Sequence, residues 1–249
     1  MHKEWRMPEP TRSKTIQYLV GADKAGSFPK AITDPGHGGK FDKEGNVLPF
    51  PGNTFICHID QSSQFYKALC AFQDALRNSV FAEHYTFLPK PSFHMTIFCG
   101  VSGIPLGEDG WPEGMDRASS LDDITSTFSE RFASQTNMSG FGMVASGISL
   151  PGTVTMRAAS DADQSKLSDA RHRLQKLTGL FRSDIDTYEF HISLGYLKRW
   201  FDQTAIDEAY ATAEQLFETH LKDSGVQFLG TLELCAFETM HHFEPVIEG

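Results

Sequence analysis

The spacing of hydrophobic positions changes several times along the chain, and each change marks an element. Asn53 to Ile59 (NTFICHI) is a short apolar run that predicts a strand, and Ser62 to Arg77 sets Phe65, Leu69, Phe72 and Leu76 at helical spacing. Ser92 to Cys99 predicts a second strand, closed by Gly100. Gly100 to Ser120 is loop-like, and Leu121 to Ala133 suits a helix. Phe141 to Leu150 is an apolar, Gly-containing strand that runs into the turn pair Pro151-Gly152. The order then recurs. Thr153 to Ala159 alternates as a strand, and Asp161 to Leu180 is a helix ending near Gly179, with Leu167, Leu174 and Leu177 among its apolar positions. Phe190 to Leu197 predicts a strand, Thr204 to Leu221 a helix and Gln227 to Phe237 a strand.

Each half therefore reads β-α-β-α-β, in an α+β chain. Thr54 to His94 spans 40 residues, and Val154 to His191 spans 37. Order and spacing point to an internal duplication, although the halves share little identity. Ahead of it, Gly21 to Gly52 holds seven Gly and four Pro in 32 residues and no sustained periodicity. Such a segment is either a flap over a neighbouring site or a plain surface loop. Its centre, Asp34-Pro35-Gly36-His37-Gly38-Gly39-Lys40, looks like a phosphate loop, but Phe41 stands where Ser or Thr is needed and no strand precedes the glycines. The chain thus divides into an N-terminal extension with a Gly/Pro-rich loop, 1–52, and one domain, 53–249, whose lobes fall near 53–150 and 151–249.

Charge narrows the partners. Lys and Arg total 22 against 32 Asp and Glu, a formal charge of -10. That balance repels long polyanions, so extended DNA and anionic membranes are disfavoured, while a small anionic ligand in a locally basic cleft is allowed. The four cysteines, Cys57, Cys70, Cys99 and Cys235, form no C-x-x-C pair and are expected as free, mostly buried thiols. Met1 to Pro10 lacks the apolar run of a signal peptide, and no stretch approaches the roughly 18 apolar residues of a membrane span. A soluble, cytoplasmic protein is expected.

The chemistry lies in a short pattern carried by the middle strand of each half. One half has Phe93-His94-Met95-Thr96-Ile97, the other Phe190-His191-Ile192-Ser193-Leu194. Strand alternation places His94 with Thr96, and His191 with Ser193, on one face and the apolar residues on the other. A lone His on an apolar strand is ordinarily a hydrogen-bonded structural residue. Two copies on equivalent strands, each preceded by Phe, are a more specific signal. Imidazole titrates near neutrality, so one His can accept a proton while the other donates one. Two hydroxyls can hold the non-bridging oxygens of a phosphate between them. Opening a strained cyclic phosphodiester needs only those two proton transfers and no metal.

Two H-x-[S/T]-x motifs 97 residues apart, on equivalent strands of a duplicated α+β chain, resemble the two-histidine (2H) phosphoesterase superfamily. That group includes the RNA ligase-like 2′,5′ enzymes and the plant and fungal cyclic nucleotide phosphodiesterases. The stretch from Gly39-Lys40-Phe41-Asp42 through Pro51-Gly52-Asn53-Thr54 to Ser92-Phe93-His94-Met95-Thr96 further resembles its uncharacterised 2H phosphodiesterase-like branch. The resemblance covers roughly residues 40 to 240. It implies a bilobal fold with a pseudo-twofold axis and a central cleft between two antiparallel sheets, with both motifs facing that cleft. It makes His94 and His191 the acid/base pair and Thr96 and Ser193 the phosphate holders.

Four further residues are candidates for substrate binding. Arg157, on the strand that opens the second half, either reaches a phosphate or base or makes a surface ion pair. Phe98 falls two residues beyond Thr96, as a ring for stacking a base or as core. Tyr196 has the wrong parity and reaches the cleft only if Gly195 makes a bulge. Trp111 is a lid or a loop anchor. His58-Ile59-Asp60 and His241-His242 lack further ligands in sequence, there is no H-E-x-x-H, and no metal or cofactor is expected.

The expected activity is metal-independent hydrolysis of a 2′,3′-cyclic phosphate on a small nucleotide or RNA terminus. The alternatives are an RNA-end exonuclease or 2′,5′-phosphodiesterase using the same residues, and a non-catalytic nucleotide-binding protein. An RNA-trimming enzyme predicts a basic track, for which Lys198-Arg199 and Arg171, Arg173 and Lys176 are candidates, the latter group reading more simply as a solvated helix face.

Overall fold

The structure, a computed structural model, describes residues 9–22, 26–135 and 138–246; the first eight residues of the N-terminal extension lie outside it. Glu9–Leu19 forms a helix, α1, whose apolar residues make no continuous stripe, which is why periodicity does not predict it. It docks through fully buried Leu19 and through Arg12, whose guanidinium lies 5.2 Å from the centre of the Tyr210 ring and 3.8 Å from Glu214.

The first half then runs β1 (Gly52–His58), α2 (Gln64–Arg77), β2 (Tyr85–Phe87), β3 (His94–Ser102), α3 (Leu121–Ala133) and β4 (Gly142–Leu150). The second runs β5 (Thr153–Ala158), α4 (Asp161–Thr178), β6 (His191–Ser193), β7 (Gly195–Leu197), α5 (Ile206–His220), β8 (Gln227–Phe228), β9 (Glu233–Thr239) and β10 (His242–Pro245). Local chemistry sets several ends. The Ser63, Ser120 and Ser160 hydroxyls accept the backbone N–H three residues on, with Asp123 completing a capping box for α3. Gly179, at φ 67°, closes α4 in the left-handed conformation that L side chains avoid.

Eight strands form one antiparallel sheet in the order β10-β9-β1-β3-β6-β5-β4-β8, and β2 pairs with β7 in a separate ribbon. The two sheets expected from the resemblance are therefore fused, through the single residue pair Met95–Ile192 between β3 and β6. The strand order is symmetric about that pair. β4, which ends the first half, pairs with β5, while β9, from the second half, pairs with β1. Each half lends its last long strand to the other's half-sheet, so 53–150 and 151–249 do not coincide with the half-sheets.

Two predicted strands are split. Between β6 and β7 the Leu194 and Gly195 amides both donate to the Gly152 carbonyl, at 2.8 and 3.2 Å, and the chain bends out into the ribbon. Buried Gln73 fixes that crossover, donating from Nε2 to the Leu88 and Leu194 carbonyls at 2.8 and 2.9 Å. Between β8 and β9 the chain crosses from the edge beside β4 to the ladder beside β1.

Helices α2 to α5 cover one face, over a core that includes Phe55, Leu69, Phe72, Phe93, Met95, Phe128, Leu174 and Ile192, all essentially inaccessible. A second, smaller cluster forms on the opposite face. There Ile32 and Phe41 of the glycine-rich segment pack on Ile56, Cys235, Phe237 and Phe243. That segment is thus bound to the face that carries the paired motifs. Among the described residues, no helix is long and apolar enough to cross a membrane.

At Gly100 β3 passes close to β1. A Cβ there would overlap the Asn53 side-chain and main-chain oxygens. Asn53 accepts from the Val101 amide at 3.0 Å and donates to Thr125 Oγ1 at 2.9 Å. Gly100→Ala is expected to break that buried bridge and cost about 2 kcal/mol. The check is a lowered urea midpoint at unchanged slope; an unchanged midpoint contradicts it.

Candidate active site

Strand alternation and one register assemble the site. On β3, Met95 and Ile97 enter the core while His94 and Thr96 point to the face away from the helices, half-buried. On β6, Ile192 is buried and His191 and Ser193 take the same open face. Because Met95 faces Ile192 in an antiparallel pair, His94 lies across from Ser193 and Thr96 across from His191. Directly opposite Cβ atoms are about 5 Å apart, and the two histidines, diagonal neighbours, about 7 Å apart. Each imidazole is thus paired with a hydroxyl of the other strand around a local twofold.

Both rings are held alike. His94 Nδ1 lies 2.7 Å from the Ser92 carbonyl and His191 Nδ1 lies 2.8 Å from the Glu189 carbonyl. A carbonyl only accepts, so each Nδ1 carries the proton and each Nε2 is left to exchange one. Burial drives the His94 pKa down to about 4, opposed by the Ser92 hydrogen bond and reinforced by the charges of His58, His191 and Lys40. His94 is therefore a neutral acceptor near pH 7.

Other side chains wall the site. Thr153 and Thr155 of β5 lie across from Ser193 and His191. The Phe243 ring centre is 4.3 Å from that of His94, and the Tyr188 ring centre is 6.0 Å from that of His191. Burial raises the Tyr188 pKa and keeps its phenol neutral.

The four binding candidates fare differently. Phe98 is corrected. Ile56 faces Thr96 but Phe55 faces Phe98, so β3 carries a bulge at Ile97 that resets the parity. Phe98 turns into the core, fully buried with its ring centre 6.4 Å from that of Phe55, and Cys99 takes the exposed cleft-side position. Tyr196 follows a break at Leu194 rather than a bulge at Gly195, which is paired with Phe87 in the β2–β7 ribbon, and its ring centre lies 5.2 Å from that of Phe41 in the glycine-rich segment. Arg157 lies on the open face, exposed, with a guanidinium N–H only 3.5 Å from its neighbour's carbonyl, on Ala158. The structure does not bring Trp111 to the histidines: its indole packs on the main core and donates to the Met115 carbonyl at 3.1 Å within its own loop. Arg171, expected on a solvated helix face, is 3% exposed.

Three residues converge that sequence leaves apart. His58 pairs across from His94, with ring centres 6.5 Å apart, and its Nδ1 lies 2.8 Å from Glu233 Oε2. Cys235 is two residues along β9 from Glu233, and the donor atoms of all three lie within 4.8 Å of one another. A nitrogen, oxygen and sulfur set of this kind suits a zinc-like ion. Asp60 is not part of it and instead accepts from Ser62. His241 and His242 do not converge on it: His241 packs beside Phe41, and His242 pairs with Glu244 at 3.1 Å.

The family described as 2H-phosphodiest, a domain of unknown function (DUF1868), matches residues 40–152, which include the first motif and stop short of the second. No curated protein matches the chain. Among solved structures, a conserved protein of unknown function from Agrobacterium tumefaciens is similar at 27% identity and a TM-score of 0.83, over 94% of this chain and 98% of that one. The chain thus shares its fold with that protein over nearly its full length, and its first half is similar to the 2H phosphodiesterase family.

Proposed function

We propose that the protein is a phosphoesterase that opens a 2′,3′-cyclic phosphodiester on a nucleotide or RNA end by two-histidine acid–base catalysis. The observation that carries this reading is the Met95–Ile192 pair, which sets two imidazoles and two hydroxyls around one point, each Nε2 free. Thr96 and Ser193 donate to the two non-bridging oxygens. His94, neutral near pH 7, takes a proton from water at Nε2 as the water oxygen bonds to phosphorus. The bond from phosphorus to one ribose oxygen breaks, and His191 gives that oxygen its Nε2 proton. One water is consumed and a phosphomonoester is left. A net charge of -10 suits a short substrate better than extended RNA.

The test is hydrolysis of a panel of 2′,3′-cyclic nucleotides in EDTA. Turnover is expected to survive chelation, and loss of turnover on chelation would move the chemistry to His58, Glu233 and Cys235. The pH profile carries a sign. His94 must be neutral to act as base, so kcat/KM should fall as pH drops through about 4. An acid limb centred near 6.5 would give the base role to a group other than His94.

A further inference from the structure

We propose that Lys40 is a third phosphate ligand, its ammonium binding a non-bridging phosphoryl oxygen over Thr96, and that the glycine-rich segment serves to hold it there. The proposal rests on the phosphoesterase reading of the cleft and adds to it the group that binds the substrate's charge. The Lys40 ammonium sits between two rings, 5.0 Å from the centre of Tyr196 and 5.2 Å from that of Phe50. Phe41, the next residue, packs in one cluster with Ile56, which faces Thr96 between β1 and β3, and with Phe243, whose ring centre lies 4.3 Å from that of His94; the Lys40 charge also acts on His94 and Cys99.

The backbone around it is built rather than loose. The Lys40 amide donates to the Ala31 carbonyl at 3.0 Å, and the Lys40 carbonyl accepts from the Leu48 amide at 2.9 Å. Phe41, next in sequence, is fully buried against the sheet. On the other flank, Thr86 Oγ1 donates to the Gly45 carbonyl at 2.8 Å. Gly38 has φ 82°, and a Cβ there would overlap the Ile104 carbonyl; one on Gly39 would overlap the Thr33 side chain. The two glycines let the segment approach closely enough to deliver the lysine.

Two nearby arginines are already engaged. Arg182 donates to the Cys99, Gly100 and Asp109 carbonyls, and Arg171 to the Ile97, Ile185 and Asp184 carbonyls. Arg157, on the same open face, is exposed and bonds only its neighbour's carbonyl. Among the described residues, Lys40 has no carboxylate partner within ion-pair distance, in a chain that carries ten more acidic than basic groups. A half-buried ammonium left without a counter-ion is suited to bind an anion. Ring opening turns a monoanionic diester into a monoester able to carry a second negative charge, so a cation there favours the transition state as well as binding.

The test compares the whole protein with Lys40→Met, which keeps the aliphatic stem on the rings, and with Lys40→Arg. Inorganic phosphate binding is read by calorimetry, kcat/KM on a 2′,3′-cyclic nucleotide by product release, and His94 by NMR titration. Lys40→Met should weaken phosphate and lower kcat/KM by roughly 10- to 100-fold each, with Lys40→Arg recovering most of both. The His94 pKa should rise in Lys40→Met, since a nearby positive charge is gone. Phosphate that binds the parent and Lys40→Met equally, or fails to bind the parent at all, overturns the site. Phosphate binding that needs Lys40 in a protein that hydrolyses no cyclic nucleotide keeps the site and removes the catalytic reading instead.

Discussion

His94→Ala and His191→Ala are each expected to lower kcat on a 2′,3′-cyclic nucleotide by about 10²- to 10⁴-fold while KM changes little. In the proposed mechanism each histidine moves a proton in the same transition state, so removing either leaves a phosphate held in place with half of its proton transfer missing. The double variant should be little worse than the poorer single one, because groups that act as a unit do not add. The two losses should also differ in pH dependence. His94→Ala removes the acid limb near pH 4, whereas His191→Ala keeps it. Neither change should unfold the protein, since each ring is half-buried and bonds a single carbonyl. Steady-state kinetics on folded variants decides it, and either variant within a few-fold of the parent removes the mechanism.

Arg171→Met should cost about 3 kcal/mol of stability, far more than a surface arginine. The guanidinium is buried and donates to the Ile97 carbonyl at 2.7 Å, the Ile185 carbonyl at 3.0 Å and both the carbonyl and carboxylate of Asp184 at 3.2 Å. It also lies 4.2 Å from the centre of the Tyr188 ring. Its removal strands the Ile97 carbonyl in the interior and frees the segment that leads into His191. Burial lowers the Arg171 pKa and the Asp184 charge opposes that. Denaturant unfolding should show the loss, with kcat falling in parallel as His191 becomes less fixed. A stability change under about 1 kcal/mol would mean that water reaches these carbonyls and replaces the arginine.

Sequence carries well what is local. The serine caps, Gly179 and the apolar spacing of α2, α3 and α4 set helix bounds within a few residues, because those signals act within one turn. The His-x-Ser/Thr pairs are legible for the same reason, since parity needs only an unbroken strand. Phe98 shows where that ends: the bulge at Ile97 is set by how β3 seats against β1, and nothing in residues 93 to 99 announces it. Arg171 is a similar case. One charged position on a helix with Arg173 and Lys176 nearby reads as solvated, and only the approach of β3 and residues 184–188 buries it. Glu233 and Cys235 meet His58 across 175 residues of chain, by a pairing that no short-range pattern encodes. Lys40 sits in a motif that fails as a nucleotide loop, and its proposed place in the cleft depends on Phe41 finding a hydrophobic seat.

The exchange of β4 and β9 has a consequence for how such a chain arises and what pieces of it can do. A half-length chain ending at 150 would hold β1 and β3 without the neighbour that β9 supplies, and would carry β4 with no ladder of its own to join. Two such chains could satisfy all edges only by trading their last strands, which is a domain-swapped dimer. The present fold is that arrangement closed within one polypeptide. The turn at Pro151-Gly152 then does more than reverse direction: it keeps two reciprocal donors at a fixed ratio of one to one. Once the trade is intramolecular, the two copies are free to diverge, so the surroundings of His94 and His191 need not stay alike.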